Sequence, residues 1–224
     1  MYNRALEGYE KILGAEHTST LNTVNNLGTI YADQGKLDEA EKMYNRALEG
    51  REKALGADHT STLHTINDLG GLYANQGKLD DAEKMYNRAL EGYKKALGAE
   101  HMWTLNTVNN LGTLYADQVK LDEAEKMYNR ALEGYEKALG RESIQSFIPA
   151  LIAIWGLASL FDCQNRAEDA RALYSKAQSG YRKVVGDDHQ ICQDLRDSLA
   201  ALAKERDKIS TTTEGELVLA HRRP

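Results

Sequence analysis

Proline is nearly absent from this 224-residue chain, with Pro149 and Pro224 the two examples. Phenylalanine, tryptophan and cysteine are as scarce, at two each. So little proline removes the commonest helix breaker. Two cysteines, Cys163 and Cys192, exclude a disulfide-stapled scaffold. With no secretory signal and no Asn-x-Ser/Thr acceptor, a reducing, cytoplasmic compartment is expected. A basic stripe is missing too. The formal net charge is −6, which excludes nucleic acid as the expected partner, because phosphates need Lys and Arg. Long apolar runs are missing with one exception. Residues 143–161 carry no charge, but their strongly apolar part is shorter than the roughly 20 residues of a bilayer span. It reads as a buried helix, and no membrane is expected.

What is present is repetition. The octet MYNRALEG starts at Met1, Met43, Met85 and Met127, a spacing of 42 residues each time. Residues 1–42 and 85–126 agree at 36 of 42 positions. A recurring unit is no unique catalytic constellation. It is a building block that buries its apolar face by stacking on its neighbours.

Each unit reads as two antiparallel helices. In the first, from about Thr18 to Gln34, Leu21, Val24, Leu27, Gly28 and Tyr31 recur at three- and four-residue spacing. Gly35 suits the left-handed position that ends a helix. The second helix starts near Leu37 and turns Ala40, Tyr44, Ala47, Leu48 and Leu55 to one side. Val119 stands where Gly35 and Gly77 stand. Either that turn is rebuilt or it carries strain, since a β-branched residue resists positive φ.

The pattern Leu27-Gly28-x2-Tyr31-x3-Gly35-x4-Ala40-x3-Tyr44-x2-Ala47 resembles the tetratricopeptide signature, whose usual period is about 34 residues. It recurs from Leu69 and Leu111, and in worn form as Leu157, Ala158, Phe161, Asn165, Ala170, Tyr174 and Ala177. The longer unit resembles the kinesin light chain subtype, and such near-identical arrays are similar to the sensor regions of fungal NOD-like receptors. The resemblance implies an all-α, right-handed superhelical solenoid of antiparallel helix pairs. Its layout would be a truncated unit at 1–16, repeats at 17–58, 59–100 and 101–140, a degenerate repeat at 141–188, a C-terminal capping helix at 189–209 and a disordered tail at 210–224. The chain opens on a second helix without its first, so a fragment of a longer product is expected.

Candidate chemistry dissolves into the repeat. All twelve tyrosines fall at three repeat positions and read as packing residues. His17, His59, His101 and His189 recur once per unit in a turn. Metal ligands must converge within roughly 2 Å of one ion, whereas equivalent positions in stacked helices lie about 10 Å apart. No P-loop, Gly-x-Ser-x-Gly or His-Glu-x-x-His motif occurs. No enzyme activity, cofactor or metal is expected.

By the resemblance, the first helices line a groove. The side opposite Leu27 and Tyr31 carries Asn22, Asn25, Asn26, Thr29 and Asp33. The next unit has His64, Asn67, Asp68, Gly71 and Asn75 there, and the third has Asn106, Asn109, Asn110, Thr113 and Asp117. Asparagine can hydrogen-bond an extended peptide through donor and acceptor alike. In the fourth unit the equivalents are Ile152, Trp155, Gly156, Ser159 and Asp162, and Trp155 either anchors a ligand or packs under the last helix. Units one and two differ at ten positions, four of them on this face: Asn22/His64, Asn26/Asp68, Thr29/Gly71 and Asp33/Asn75. Copies that drift there while holding their core suggest a diversifying recognition surface.

The function expected is a non-catalytic scaffold that holds a peptide or protein, neutral or basic rather than acidic, since no Lys or Arg offsets the aspartates of that face. Cochaperone members of the family clamp acidic ligands with Lys and Arg, which these positions lack. A sensor array of a larger receptor-like protein leads. The alternatives are a kinesin light chain-like cargo adaptor, for which no heptad coiled coil is present, and a structural array that self-associates through its exposed N-terminal helix.

Overall fold

The structure is a computed structural model that describes residues 2–204. The expected tail at 210–224 and the end of the 189–209 element lie outside the described residues. Helix α1 spans Tyr2–Leu13, and helix pairs follow: α2 (Thr18–Asp33) with α3 (Leu37–Leu55), α4 (Thr60–Asn75) with α5 (Leu79–Leu97), and α6 (Met102–Asp117) with α7 (Leu121–Leu139). After a 3-10 turn at Ser143–Ser146 come α8 (Ile148–Cys163) and α9 (Ala167–Val185). A last helix, α10, covers 190–204. There is no strand among the described residues. The fold is all-α, built of antiparallel helix pairs.

The first helices α2, α4 and α6 begin on the recurrent histidine, whereas α8 begins at Phe147 without a side-chain cap. The Nδ1 of His17, His59 and His101 accepts the backbone N–H two residues on, from Ser19, Ser61 and Trp103, at 3.1–3.2 Å. Those N–H groups have no partner inside the helix, and a capping acceptor satisfies them. The histidine ladder is therefore a set of N-caps. His189 caps α10 in the same way through Ile191. The hydroxyls of Thr20, Thr62 and Thr104 donate to the carbonyls of Gly14, Gly56 and Gly98 at 2.8 Å. The Cys192 thiol donates to Gly186 at the matching place. Helix α10 thus starts as a first helix does.

Within a pair the helices touch closely. A Cβ on Gly28 would lie 2.7 Å from the Tyr44 ring, and one on Gly50 would lie 2.4 Å from Leu21. Between pairs, Ala40 and Tyr44 of α3 pack on Leu69 and Leu72 of α4. One surface of each second helix serves its own partner and another serves the next unit, which is why a unit alone leaves apolar area in water. The apolar α8 buries Leu151, Ile154, Leu157 and Phe161. No helix among the described residues is long and apolar enough to cross a membrane. The described residues fall into two compact units, divided after Gly134.

The turn at Val119 is not rebuilt. Val119 takes φ 59°, close to the 73° of Gly35 and Gly77. Its N–H donates to Ala116 O at 2.9 Å and that of Lys120 to Tyr115 O at 2.8 Å, the distances found after Gly35. The helix-ending hydrogen bonds hold a valine in the left-handed region, where its branched Cβ crowds the backbone. Val119→Gly should raise stability by about 1 kcal/mol, and Val119→Asn by less. Thermal melts of the three chains check this; an unchanged midpoint in Val119→Gly would show that the turn stores no strain.

Candidate functional site

The asparagine-rich positions of α2, α4 and α6 divide by register. Asn22, Asn26, Asp33, His64, Asn75 and Asp117 are exposed, while Asn67, Asp68, Asn106 and Asn110 are half-buried. Asn25 and Asn109 are not on an open face, being 4% and 3% exposed. This corrects the sequence expectation for both. Their register turns them inward. Asn25 Nδ2 donates to Asp68 Oδ2 at 2.9 Å, and its Oδ1 accepts from the Thr65 hydroxyl at 2.9 Å, both on α4. One unit on, Asn67 Oδ1 accepts from Thr107 at 3.1 Å and from Asn110 Nδ2 at 3.4 Å. These amides tie one first helix to the next. The Oδ1 of Asn109 is buried without a hydrogen-bond partner.

Asn67, Asp68, Gly71 and Asn75 of α4 meet Thr29 and Asp33 of α2 and Asn110 of α6 around an open cleft of about 320 Å³. Tyr44 and Tyr86 form its floor. Burial first, then the nearby Asp68 and Asp33, push the Tyr44 phenol up to about 12. Burial likewise raises the Asp68 carboxyl, opposed by His64, Asn25 and Arg51.

Arg51 is the residue sequence reasoning missed. It lies on α3, 5% exposed. Its guanidinium donates to Ser61 O at 2.8 Å, Thr65 Oγ1 at 2.5 Å, Asn22 Oδ1 at 2.6 Å and Asn25 Oδ1 at 3.3 Å. The expectation that no Lys or Arg offsets the aspartates therefore fails at Asp68. A buried guanidinium needs acceptors and a counter-charge, and Asp68 supplies the charge across the shared Asn25. The signal lay in the differences between the copies: Arg51 replaces the tyrosine of Tyr9, Tyr93 and Tyr135, within the same 42-residue stretch, 43–84, that gains His64 and Asp68.

The tetratricopeptide repeat model matches residues 1–53, 19–95 and 61–137, and a second model of that description matches 156–191. The chain belongs to the tetratricopeptide repeat family. No curated protein matches it in sequence. Among solved structures, BtubC (BKLC) from P. vanneervenii is similar over 100% of this chain and 91% of its own, with TM-score 0.75 and 18% identity. A Podosopora anserina protein, described as a putative kinesin light chain with nearly identical TPR-like repeats, is similar at TM-score 0.67 and 19% identity, over 93% of this chain and 99% of its own. A point variant of that protein gives TM-score 0.67 at 20% identity, over 91% of this chain and 95% of its own. At such identities the likeness carries the fold, that of kinesin light chain-like tetratricopeptide repeats.

The fourth tetratricopeptide unit departs from the others in register. Tyr128 to Tyr174 is 46 residues rather than 42, so Cys163, not Asp162, occupies the place of Asp117. Asp162 accepts from the Tyr174 hydroxyl at 3.5 Å instead. Trp155 is half-buried, its ring edge-on to Tyr181 with centroids 6.1 Å apart. Trp103 is 41% exposed and packs beside His64, Tyr93 and His101. Among the described residues no three His, Cys, Asp or Glu are placed to hold a metal ion.

The charge pairing generates a stability prediction. Arg51→Met should cost about 3 kcal/mol, because Asp68 keeps its charge and loses its cation. Adding Asp68→Asn should recover at least about 1 kcal/mol of that loss. Denaturant melts of the four chains of this cycle measure the coupling, and additive losses would show the two residues to be independent.

Proposed function

We propose that this chain is a non-catalytic interaction scaffold that holds an extended peptide, or a segment of a partner's surface, along α2, α4 and α6. Tetratricopeptide repeats generally mediate protein–protein interaction. The observation that carries the finer reading is the cleft between Asp33, Asp68, Gly71 and Asn75. It lies at positions where the first two units differ, while Leu27 and Leu69, Ala40 and Ala82, and Tyr44 and Tyr86 keep the core unchanged. Changes of polarity and size at the rim, over a core whose swaps of Val24 for Ile66 and Ile30 for Leu72 stay apolar, suit a surface selected for what it touches.

Asp33, Asp68 and Asp117 leave the face acidic even with Arg51 paired, which favours neutral or basic ligands over acidic ones. The near-identity of units one and three, 36 of 42 positions, supports a cytoplasmic sensor array similar to those of fungal NOD-like receptors, ahead of a cargo adaptor. A nucleotide-binding domain encoded before Met1 would support the array, and a coiled coil there would sink it. Self-association through α1 is the second reading, favoured by Ile12, which is 79% exposed, and by Tyr9 and Leu13, each 41% exposed.

A random peptide library displayed against the chain should be depleted of Asp and Glu. Asn26→Ala and Asn75→Ala should each weaken the selected peptides by about 1 kcal/mol without lowering the melting temperature, since each removes one exposed hydrogen-bonding amide. Enrichment of acidic peptides, or full affinity in both variants, would move the binding surface elsewhere.

A further inference from the structure

Four equivalent tyrosines occupy the second helices, and three of their hydroxyls are satisfied. Tyr44 donates to Thr29 at 3.1 Å, Tyr128 to Thr113 at 3.1 Å and Tyr174 to Ser159 at 3.2 Å. Tyr86 is the exception. Its partner position is Gly71, which has no hydroxyl. Tyr86 is 5% exposed, and its hydroxyl makes no hydrogen bond among the described residues. A Cβ built on Gly71 would sit 3.4 Å from that oxygen. The space a threonine would fill belongs to the cleft that Tyr86 lines. The hydroxyl opens onto that cleft, so a group placed there can take the part that threonine or serine plays in the other units.

We infer that this gap is a side-chain subsite, and that it takes the ammonium or guanidinium group of a lysine or arginine in a bound peptide. The inference rests on the reading that partners lie along the first helices, and it names the chemistry of one position there. The groups that converge on the gap are mostly acceptors. Asp33 is an exposed carboxylate, Asp68 keeps Oδ1 free while Oδ2 accepts from Asn25, and Asn75 adds an amide. No lysine or arginine lines the cleft, and Arg51, which offsets Asp68 across Asn25, leaves Asp33 without a cation there. A cation would donate charge-assisted hydrogen bonds to the carboxylates and use the Tyr86 oxygen as a further acceptor. An apolar side chain would leave all of these unmet, and a carboxylate would meet two like charges.

The test uses the whole ¹⁵N-labelled chain and four capped tripeptides, acetyl-Gly-X-Gly-amide with X lysine, arginine, norleucine or glutamate. Backbone shifts at Asp33, Gly71 and Asn75 should move and saturate with the lysine or arginine peptide. Norleucine, of similar length without charge, should bind at least about tenfold more weakly, and glutamate should leave the spectrum still. Gly71→Thr should abolish the effect and raise the melting temperature, because the introduced hydroxyl would take that of Tyr86 as Thr29 takes that of Tyr44. Asp33→Asn, a change on an exposed residue, should weaken lysine binding about tenfold without moving the melting temperature. Equal binding of norleucine and lysine, or unchanged lysine binding in Gly71→Thr, overturns the subsite. Lysine-dependent shifts at Asn22, Asn26 and Thr113 but not at Gly71 overturn it while leaving the groove reading intact. Shifts confined to residues off α2, α4 and α6 overturn both.

Discussion

The ring of Tyr44 lies against Gly28 with no room for a methyl group, and this contact, repeated as Tyr86 on Gly70 and Tyr128 on Gly112, governs much of the rest. It sets how closely the two helices of a pair approach. It also removes the freedom of the ring, so each phenol oxygen arrives at one place on the preceding first helix. Whatever residue stands there, Thr29, Gly71 or Thr113, meets a hydroxyl it did not choose. The chemistry of the inner face at that position follows from a packing constraint in the core, not from a loop free to move.

A second consequence of tight stacking is that polar groups between first helices cannot be left alone. Asn25 and Asn67 serve as ties to the next unit, and threonines at 65 and 107 complete them. When Arg51 replaces a tyrosine beside one of these ties, its charge has to be answered nearby. Asp68 is that answer, and His64 lies 3.9 Å from its carboxylate. Two of the ten differences between units one and two, Arg51 and Asp68, are thus coupled across Asn25, with His64 beside them. They are weaker support for a drifting recognition surface than four independent changes would be. Gly71 and Asn75 remain as changes that stability alone does not require. Gly71 in fact gives up a hydrogen bond that the other units keep.

The acidic ties along the outer side behave differently. Glu41 bonds Gln76 and Lys78, and Glu83 repeats this with Gln118 and Lys120, at 2.9–3.3 Å. Both carboxyls are held below their ordinary range. At Glu41 the Gln76 hydrogen bond is the largest cause, while at Glu83 burial is the largest influence and opposes the shift, outweighed by the hydrogen bonds of Gln118, Lys120 and Tyr115 together. A depressed carboxylate pKa stabilises the fold above the unfolded value and releases that stability as pH falls through the folded one. The stack is therefore joined on one side by amides, with Asp68 and Arg51 among them, and on the other by ion-assisted bonds that acid loosens.

The sequence by itself determined the helix pairs, their period, their termini and the core. Periodicity and close packing are local enough to leave marks at fixed spacing, and even the strained Val119 was legible because two glycines stood at its equivalents. The exposed members of the inner face, such as Asn22, Asn26 and Asn75, were legible for the same reason. Only the tertiary structure decided that Asn25 and Asn109 turn inward, since about a hundred degrees of helix rotation separates a tie from a ligand contact and an amide looks the same in either place. It alone brought Arg51 to Asp68, from different helices of neighbouring units. It alone left Tyr86 without a partner, because whether a hydroxyl is satisfied depends on what stands across the helix interface, and no residue's identity carries that information.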